Sequence, residues 1–456
     1  MSNKDIIEII NDKNRIVVGK EINKKYLTDG LKRDFGEADI LVFPISTKEV
    51  SDILKYANDN LIHVTPRGAG TGLVGATVPT ERGIILDLSK MNNILNIDEE
   101  NFTVTVEPGV LLRDVQLYVE ERGLFYPPDP GEKKATIGGN ISTNAGGMRA
   151  VKYGVTRDYV RMLEVVLADG TVLNLGSETI KNSSGLDLKD LFVGSEGTLG
   201  IITKAILKII PKPKNSVSAI VPFKTLKDGI NSVIKVIKEN ANPTAIEFIE
   251  RRAINKAEDY LKIKFPCDKG NTFLLLTFDG DELEINSSYK KVEKVVIENG
   301  ALDFILLEEE EDINRAWSIR GALVTAVEAV SEEEPIDIVV PINNIATFVE
   351  YTKEIEEKYG IEVVSFGHAG DGNVHLCVVR NGIEESEWKK KSHELLEELY
   401  MKSYELRGLP SGEHGVGLNK KEFFRKVTNE ANILYMSKIK EAFDKNSILN
   451  ANKVFR

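Results

Sequence analysis

Two short stretches gather the side chains best suited to proton transfer and metal binding. GHAGDGNVH, residues 367–375, holds His368 and His375, and GEHGVG, residues 412–417, holds Glu413 and His414, in a chain with five histidines in all. Glycine, aspartate and asparagine surround them, with almost nothing apolar, and such bare turns let side chains converge and admit a ligand. VVSFGHAG and NVHLCVV read as two short strands around Asp371-Gly372, a hairpin turn that sets His368 and His375 at neighbouring ends of the pair. Two imidazoles and a carboxylate suit Zn, Fe or Mn with open coordination positions. A histidine beside them, with a pKa of about 6.5, can accept a proton at neutral pH. The other two histidines have plainer readings: His63 as a structural residue of the strand LIHV, and His393 as part of the helix KSHELLEEL.

A second kind of signal lies in the first half. TPRGAGTGLVGATVP, residues 65–79, contains GxGxxG at Gly70, Gly72 and Gly75. A dinucleotide fold needs a helix after such glycines, but only ATVPTER separates Gly75 from the next strand, GIILDLS, so no helix fits. What the loop can do is present backbone N–H groups to a pyrophosphate as a nest. ATIGGNISTNAGGMRAVKYG, residues 135–154, and GSEGTLGIIT, residues 194–203, are of the same character. Three glycine-rich turns point to one large nucleotide ligand touched at several places.

In order and spacing these segments resemble the FAD domain of the vanillyl-alcohol-oxidase/p-cresol-methylhydroxylase superfamily, and the two histidine stretches resemble its D-2-hydroxyacid dehydrogenase branch. The resemblance implies a two-subdomain FAD-binding domain plus an α+β cap with antiparallel sheet, an α+β fold overall. It implies that Arg67, Gly68, Ala69, Gly70, Thr71, Gly72, Leu73, Gly75 and Ala76 hold the pyrophosphate. Pro128, Thr136, Gly138, Gly139, Ser142, Asn144, Gly147, Tyr153 and Gly154 would line the cofactor, with Gly200 and Ile202 along its other side. The FAD should be non-covalent, because the phosphate loop has neither the histidine nor the cysteine that tethers it in some relatives. By the same resemblance His368, His375 and Glu413 are ligands to a divalent metal and His414 is the base. Arg320 matches the substrate arginine and can bind a carboxylate bidentately; its plainer alternative is a salt bridge on a helix surface. Two departures stand out. EEEPID, with Pro335, stands where relatives with larger substrates carry a lysine, which weakens the case for a dicarboxylate such as D-2-hydroxyglutarate; the order of preference is D-lactate, then glycolate, then the dicarboxylate. The C-terminal NPGK reads NANK, keeping Asn450 near the flavin in a different turn.

The length, 456 residues, implies more than one domain. The boundaries expected are 1–213 for the FAD domain, 214–405 for the cap and 406–456 for a segment returning to the flavin, with PKPKN at residues 211–215 as the linker. Net charge of -12 argues against nucleic-acid binding. No apolar run is long enough for a membrane span, and the opening residues lack a signal-peptide core. Two cysteines, Cys267 and Cys377, cannot supply a four-thiolate cluster and fit a reducing cytoplasm. Electrons from a small 2-hydroxy acid must therefore leave through a partner, an electron-transfer flavoprotein or an iron–sulfur subunit, or through oxygen. The competing readings are a flavin electron-carrier subunit and an NAD(P)H-dependent reductase. The local pattern also predicts a helix over TKEVSDILKYANDN capped by Thr47, and helices on one face of the cap sheet.

Overall fold

The computed structural model describes residues 3–454 and divides into two compact units. The first comprises the chain up to Gly146, Val155–Lys212 and the chain from Glu413; the second comprises Gly147–Gly154 and Pro213–Gly412. The border at Lys212/Pro213 falls within PKPKN, although Pro211 still pairs with Leu124 and a long strand begins at Asn215.

Among the described residues the first unit holds two larger sheets beside the two-stranded pairing of Leu124–Phe125 with Ile210–Pro211. In one, Ile40–Val42 and His63–Arg67 both pair in parallel with Gly83–Asp87, while Ile16–Val18 runs antiparallel at the edge. The other is a five-stranded antiparallel sheet in the order Ile94–Asp98, Thr103–Val106, Ile201–Lys208, Val160–Val166, Val172–Gly176. The last two strands form the hairpin expected at Asp169-Gly170, where Gly170 has φ of 86°. Helix Thr47–Asp59 buries Val50, Ile53, Leu54 and Ala57, the stripe its helical spacing predicts, in a core shared with Val64, Ile84 and Leu86. Its cap is Ser46, not Thr47: Ser46 accepts from the Glu49 N–H at 3.2 Å, while the Thr47 hydroxyl donates to Glu164 at 2.7 Å. The cap must be the last extended residue, and Ser46, at φ -153°, is that residue. Ser46→Ala should therefore cost about 1 kcal/mol, visible as a lower urea midpoint for the first unfolding transition. Ile448 and Leu449 complete the same core: the Val64 N–H donates to the Ile448 carbonyl and the Val64 carbonyl accepts from the Asn450 N–H, both at 2.8 Å.

The second unit is built on one seven-stranded antiparallel sheet, in the order Ile305–Leu307, Asn215–Phe223, Thr272–Gly280, Ala245–Glu250, Glu362–His368, Asn373–Val379, Glu333–Val339. Helices cover both faces rather than the one expected. The reason is legible in TFLLLTF and AIEFIE, runs without alternation: every residue of Ala245–Glu250 is buried, as a strand covered on both sides requires. One face packs Ile249, Phe273, Leu275, Val364 and Phe366 against helices Arg251–Leu261, Glu310–Gly321 and Leu323–Glu328. Pro335 lies in the edge strand, where its missing N–H costs least.

Candidate active site

In the first unit the glycine-rich segments meet around one cavity. Its wall includes Arg67, Gly68, Ala69, Gly70, Thr71, Gly72 and Ala76 from the first segment, Thr136, Gly138, Gly139 and Ser142 from the second, and Gly200 and Ile202 from the third. Asn450 and His414 complete it. The first loop leaves strand His63–Arg67 with no helix following, and Gly70 has φ of 71°. Arg67 holds this loop from within: its guanidinium donates to the carbonyls of Thr28 at 2.6 Å and Lys25 at 2.8 Å, and burial lowers its pKa. A Cβ on Gly70 would lie 1.9 Å from that guanidinium, so a side chain there would push Arg67 off these carbonyls.

Not every expected residue reaches this wall. Gly75 gives its N–H to the Asp29 carboxylate at 2.7 Å and shapes the loop instead. Leu73 faces a neighbouring cleft with Tyr26 and Phe35. The Pro128 carbonyl accepts from Gln116 at 3.0 Å, and Asn144 ends helix Ile137–Thr143 in the left-handed conformation, accepting from the Arg157 N–H. Gly147, Tyr153 and Gly154 belong to the second unit, where Tyr153 donates to Asp279 at 2.9 Å. His63 lies in its strand as expected, with a buried Nδ1 that has no partner among the described residues.

Asn140 and Glu196 are among the lining residues that the sequence does not assign to the cofactor. Asn140, 4 % exposed, turns an Nδ2 to the wall that finds no acceptor among the described residues. Glu196 is buried, and burial pushes its carboxyl up to about 7 even though the Val416 and Gly417 amides stabilise its charge. Nor does any protein acceptor take the N–H groups of Ala69 to Gly72, among the described residues. Unused donors on a glycine-bared wall fit the carbonyl and phosphate oxygens of FAD. Among the described residues His414 is the one histidine of that wall, and no cysteine lines it.

The second unit brings His368 and His375 together on one face of the sheet. His368 stands opposite Glu247 in one neighbouring strand, and His375 stands opposite Phe366 and Asp337. The two Nε2 atoms face each other at 3.3 Å, with the rings nearly perpendicular. Glu247, fully buried, sits 2.7 Å from His368 Nδ1. Burial alone would raise its carboxyl, but His368 and Arg320 hold it below the usual glutamate value. An ionised acceptor at Nδ1 puts the proton there, so Nε2 carries the lone pair, the arrangement that orients a metal-binding imidazole. Arg320 ends helix Glu310–Gly321 and gives Nε and Nη2 to the same Glu247 at 2.8 and 2.6 Å. The pairing is thus with a fully buried carboxylate rather than on the helix surface, and Nη1 takes no part in it. On the edge strand, Asp337 accepts from the Ser411 hydroxyl at 2.8 Å and the Gly412 N–H at 3.2 Å. It therefore anchors, beside His375, the residue that precedes Glu413. The donor set of two imidazoles fits Zn, Fe or Mn.

Comparison with known proteins agrees with this architecture. The model of the FAD linked oxidases, C-terminal domain, matches residues 212–454, and that of the FAD binding domain matches residues 38–176. The chain belongs to the FAD-linked oxidases and is an FAD-dependent enzyme. It is 44% identical to a D-lactate dehydrogenase of Anaerostipes hadrus, over 96% of this chain and 94% of that one. It is 39% identical to the glycolate oxidase subunit GlcD of Bacillus subtilis, over 91% and 89%. The fold is that of p-cresol methylhydroxylase with substrate bound, at a TM-score of 0.81 and 18% identity, covering 99% of this chain and 95% of that one. Among the described residues no helix is long and apolar enough to cross a membrane.

Proposed function

We propose that the protein oxidises a small D-2-hydroxy acid, D-lactate before glycolate, to the 2-oxo acid. The observation that carries this is the His368–His375 pair, its Nε2 atoms 3.3 Å apart and one ring oriented by Glu247. FAD, held without a covalent bond, supplies the acceptor for the hydrogen and electron pair leaving C2, and a divalent metal supplies a Lewis acid at the hydroxyl. His368 and His375 hold that metal, with Glu413 as the third ligand. His414, next in the chain and on the cavity wall, accepts the hydroxyl proton. Arg320 binds the substrate carboxylate through Nη1, its charge balanced from behind by Glu247. The similarity to a D-lactate dehydrogenase and Pro335 in the EEEPID strand support a small monocarboxylate.

The reduced flavin passes its electrons to a partner protein, an electron-transfer flavoprotein before an iron–sulfur subunit; two cysteines cannot build a four-thiolate cluster in this chain. One experiment tests both halves. Under anaerobic conditions D-lactate should bleach the flavin within a turnover time, glycolate more slowly, and NADPH not at all. Admitting air should then restore the colour far more slowly than turnover. Bleaching by NADPH alone would assign the enzyme to reductase chemistry, and reoxidation by air at the turnover rate would remove the need for a partner.

A further inference from the structure

Glu196 sits where three parts of the cavity wall meet. Its N–H donates to the Ser142 carbonyl at 2.8 Å, and its own carbonyl accepts from the Asn450 side chain at 2.7 Å. Its carboxylate accepts from the N–H groups of Val416 at 2.8 Å and Gly417 at 2.9 Å, two and three residues beyond His414. The loop passes so close that a Cβ on Gly415 would lie 2.8 Å from Glu196 Oε1. From the other side, the Val74 carbonyl accepts from the Leu418 N–H at 2.8 Å and the Asn419 N–H at 3.1 Å. The GEHGVG loop is therefore clamped between two walls, with Glu196 gripping the Val416 and Gly417 amides and the Val454 N–H donating to the Gly417 carbonyl at 2.8 Å. Glu196 holds this place at φ of 51°, a left-handed conformation that side chains beyond glycine and asparagine adopt at a cost, and one that persists where the surroundings enforce it. A packing role alone would be met by an apolar residue; a buried carboxylate aimed at two consecutive amides is suited to fixing a backbone.

We propose that Glu196 is a positioning residue for His414: by binding the amides of Val416 and Gly417 it fixes the loop that carries the base against the cofactor cavity. The inference rests on the reading of His414 as the base, and its test separates the two. Holoenzyme carrying Glu196→Ala or Glu196→Gln is compared with wild type by amide hydrogen exchange over residues 413–418 and by stopped-flow flavin reduction with D-lactate. In Glu196→Ala the Val416 and Gly417 amides should exchange at least about 10-fold faster. Flavin reduction should slow about 10- to 100-fold, the usual loss for hydrogen bonds to a charged group or a misplaced catalytic side chain. FAD content should be unchanged and the apparent substrate affinity should move less than about 3-fold. Glu196→Gln, which keeps one acceptor oxygen, should fall between. Unchanged exchange in Glu196→Ala overturns the anchoring, and faster exchange with unchanged flavin reduction overturns the positioning. Loss of FAD from both variants assigns Glu196 to cofactor retention and also overturns it. If no 2-hydroxy acid bleaches the wild-type flavin, the functional reading fails, while the exchange data still decide whether Glu196 holds the loop.

Discussion

His414→Ala should keep its FAD and its metal yet be reduced by substrate about 100- to 10,000-fold more slowly, the span associated with loss of a general base. Among the described residues His414 is the one histidine on the wall of the glycine-lined cavity, while the adjacent Glu413 is proposed to serve the metal. Removing the imidazole takes away a proton acceptor without touching the donors at Asn140 or along Ala69 to Gly72. The measurement is single-turnover flavin bleaching, with FAD absorbance and metal content checked on the same sample. Because the loss concerns proton removal, raising the pH should recover part of the rate in the variant as the hydroxyl proton leaves more readily to solvent. A variant that reduces its flavin at the wild-type rate would show that another group takes the proton.

His368→Ala and His375→Ala should each lose the metal and, with it, turnover to near background. The two differ in a way the geometry specifies. Removing His375 leaves Glu247 satisfied by His368 and Arg320, so the fold should be undisturbed. Removing His368 withdraws one of the two groups that offset the burial of Glu247, leaving Arg320 alone to balance it. We expect lower thermal stability in His368→Ala than in His375→Ala, beyond their shared loss of metal. Metal analysis and thermal unfolding of both variants test this, alongside wild-type protein stripped with a chelator. Full turnover in the stripped wild type would be incompatible with a metal role for the pair.

The glycine segments and the histidine turns were legible because each is dense: chemistry and conformational permissiveness occupy a few consecutive residues. The GxGxxG at Gly70 to Gly75 could be separated from a dinucleotide motif by counting the residues before GIILDLS, and the structure shows no helix there. Glu247 and Glu196 escaped for the opposite reason. The bond from Val416 to Glu196 spans 220 residues, and no periodicity or spacing rule reaches that far. Glu247 left a fainter trace, an acid inside the apolar run TAIEFI, since a buried carboxylate in a strand needs a partner. That trace identifies the need for a cation but not which one; His368 and Arg320 lie 121 and 73 residues away. For Arg320 the sequence leaves two employments open, a substrate carboxylate or a salt bridge, and the structure shows one edge of its guanidinium engaged by Glu247.

The return of Ile448 to Asn450 to the strand around Val64 has a consequence for how the molecule is made. Leu449 is fully buried beside residues near the start of the chain, and Asn450 forms part of the cavity wall. Between the two portions the ribosome must deliver Pro213–Gly412, almost the whole second unit, which at about 5–20 residues per second takes on the order of 10–40 s. Throughout that interval the first unit lacks part of its core and its cofactor cavity lacks a side, while the later-synthesised unit has nearly all of its own sheet and can fold ahead of it. Cofactor capture is thereby deferred until Ile448 to Asn450 have been delivered, and a chain cut before them has no finished site in which to strand a flavin.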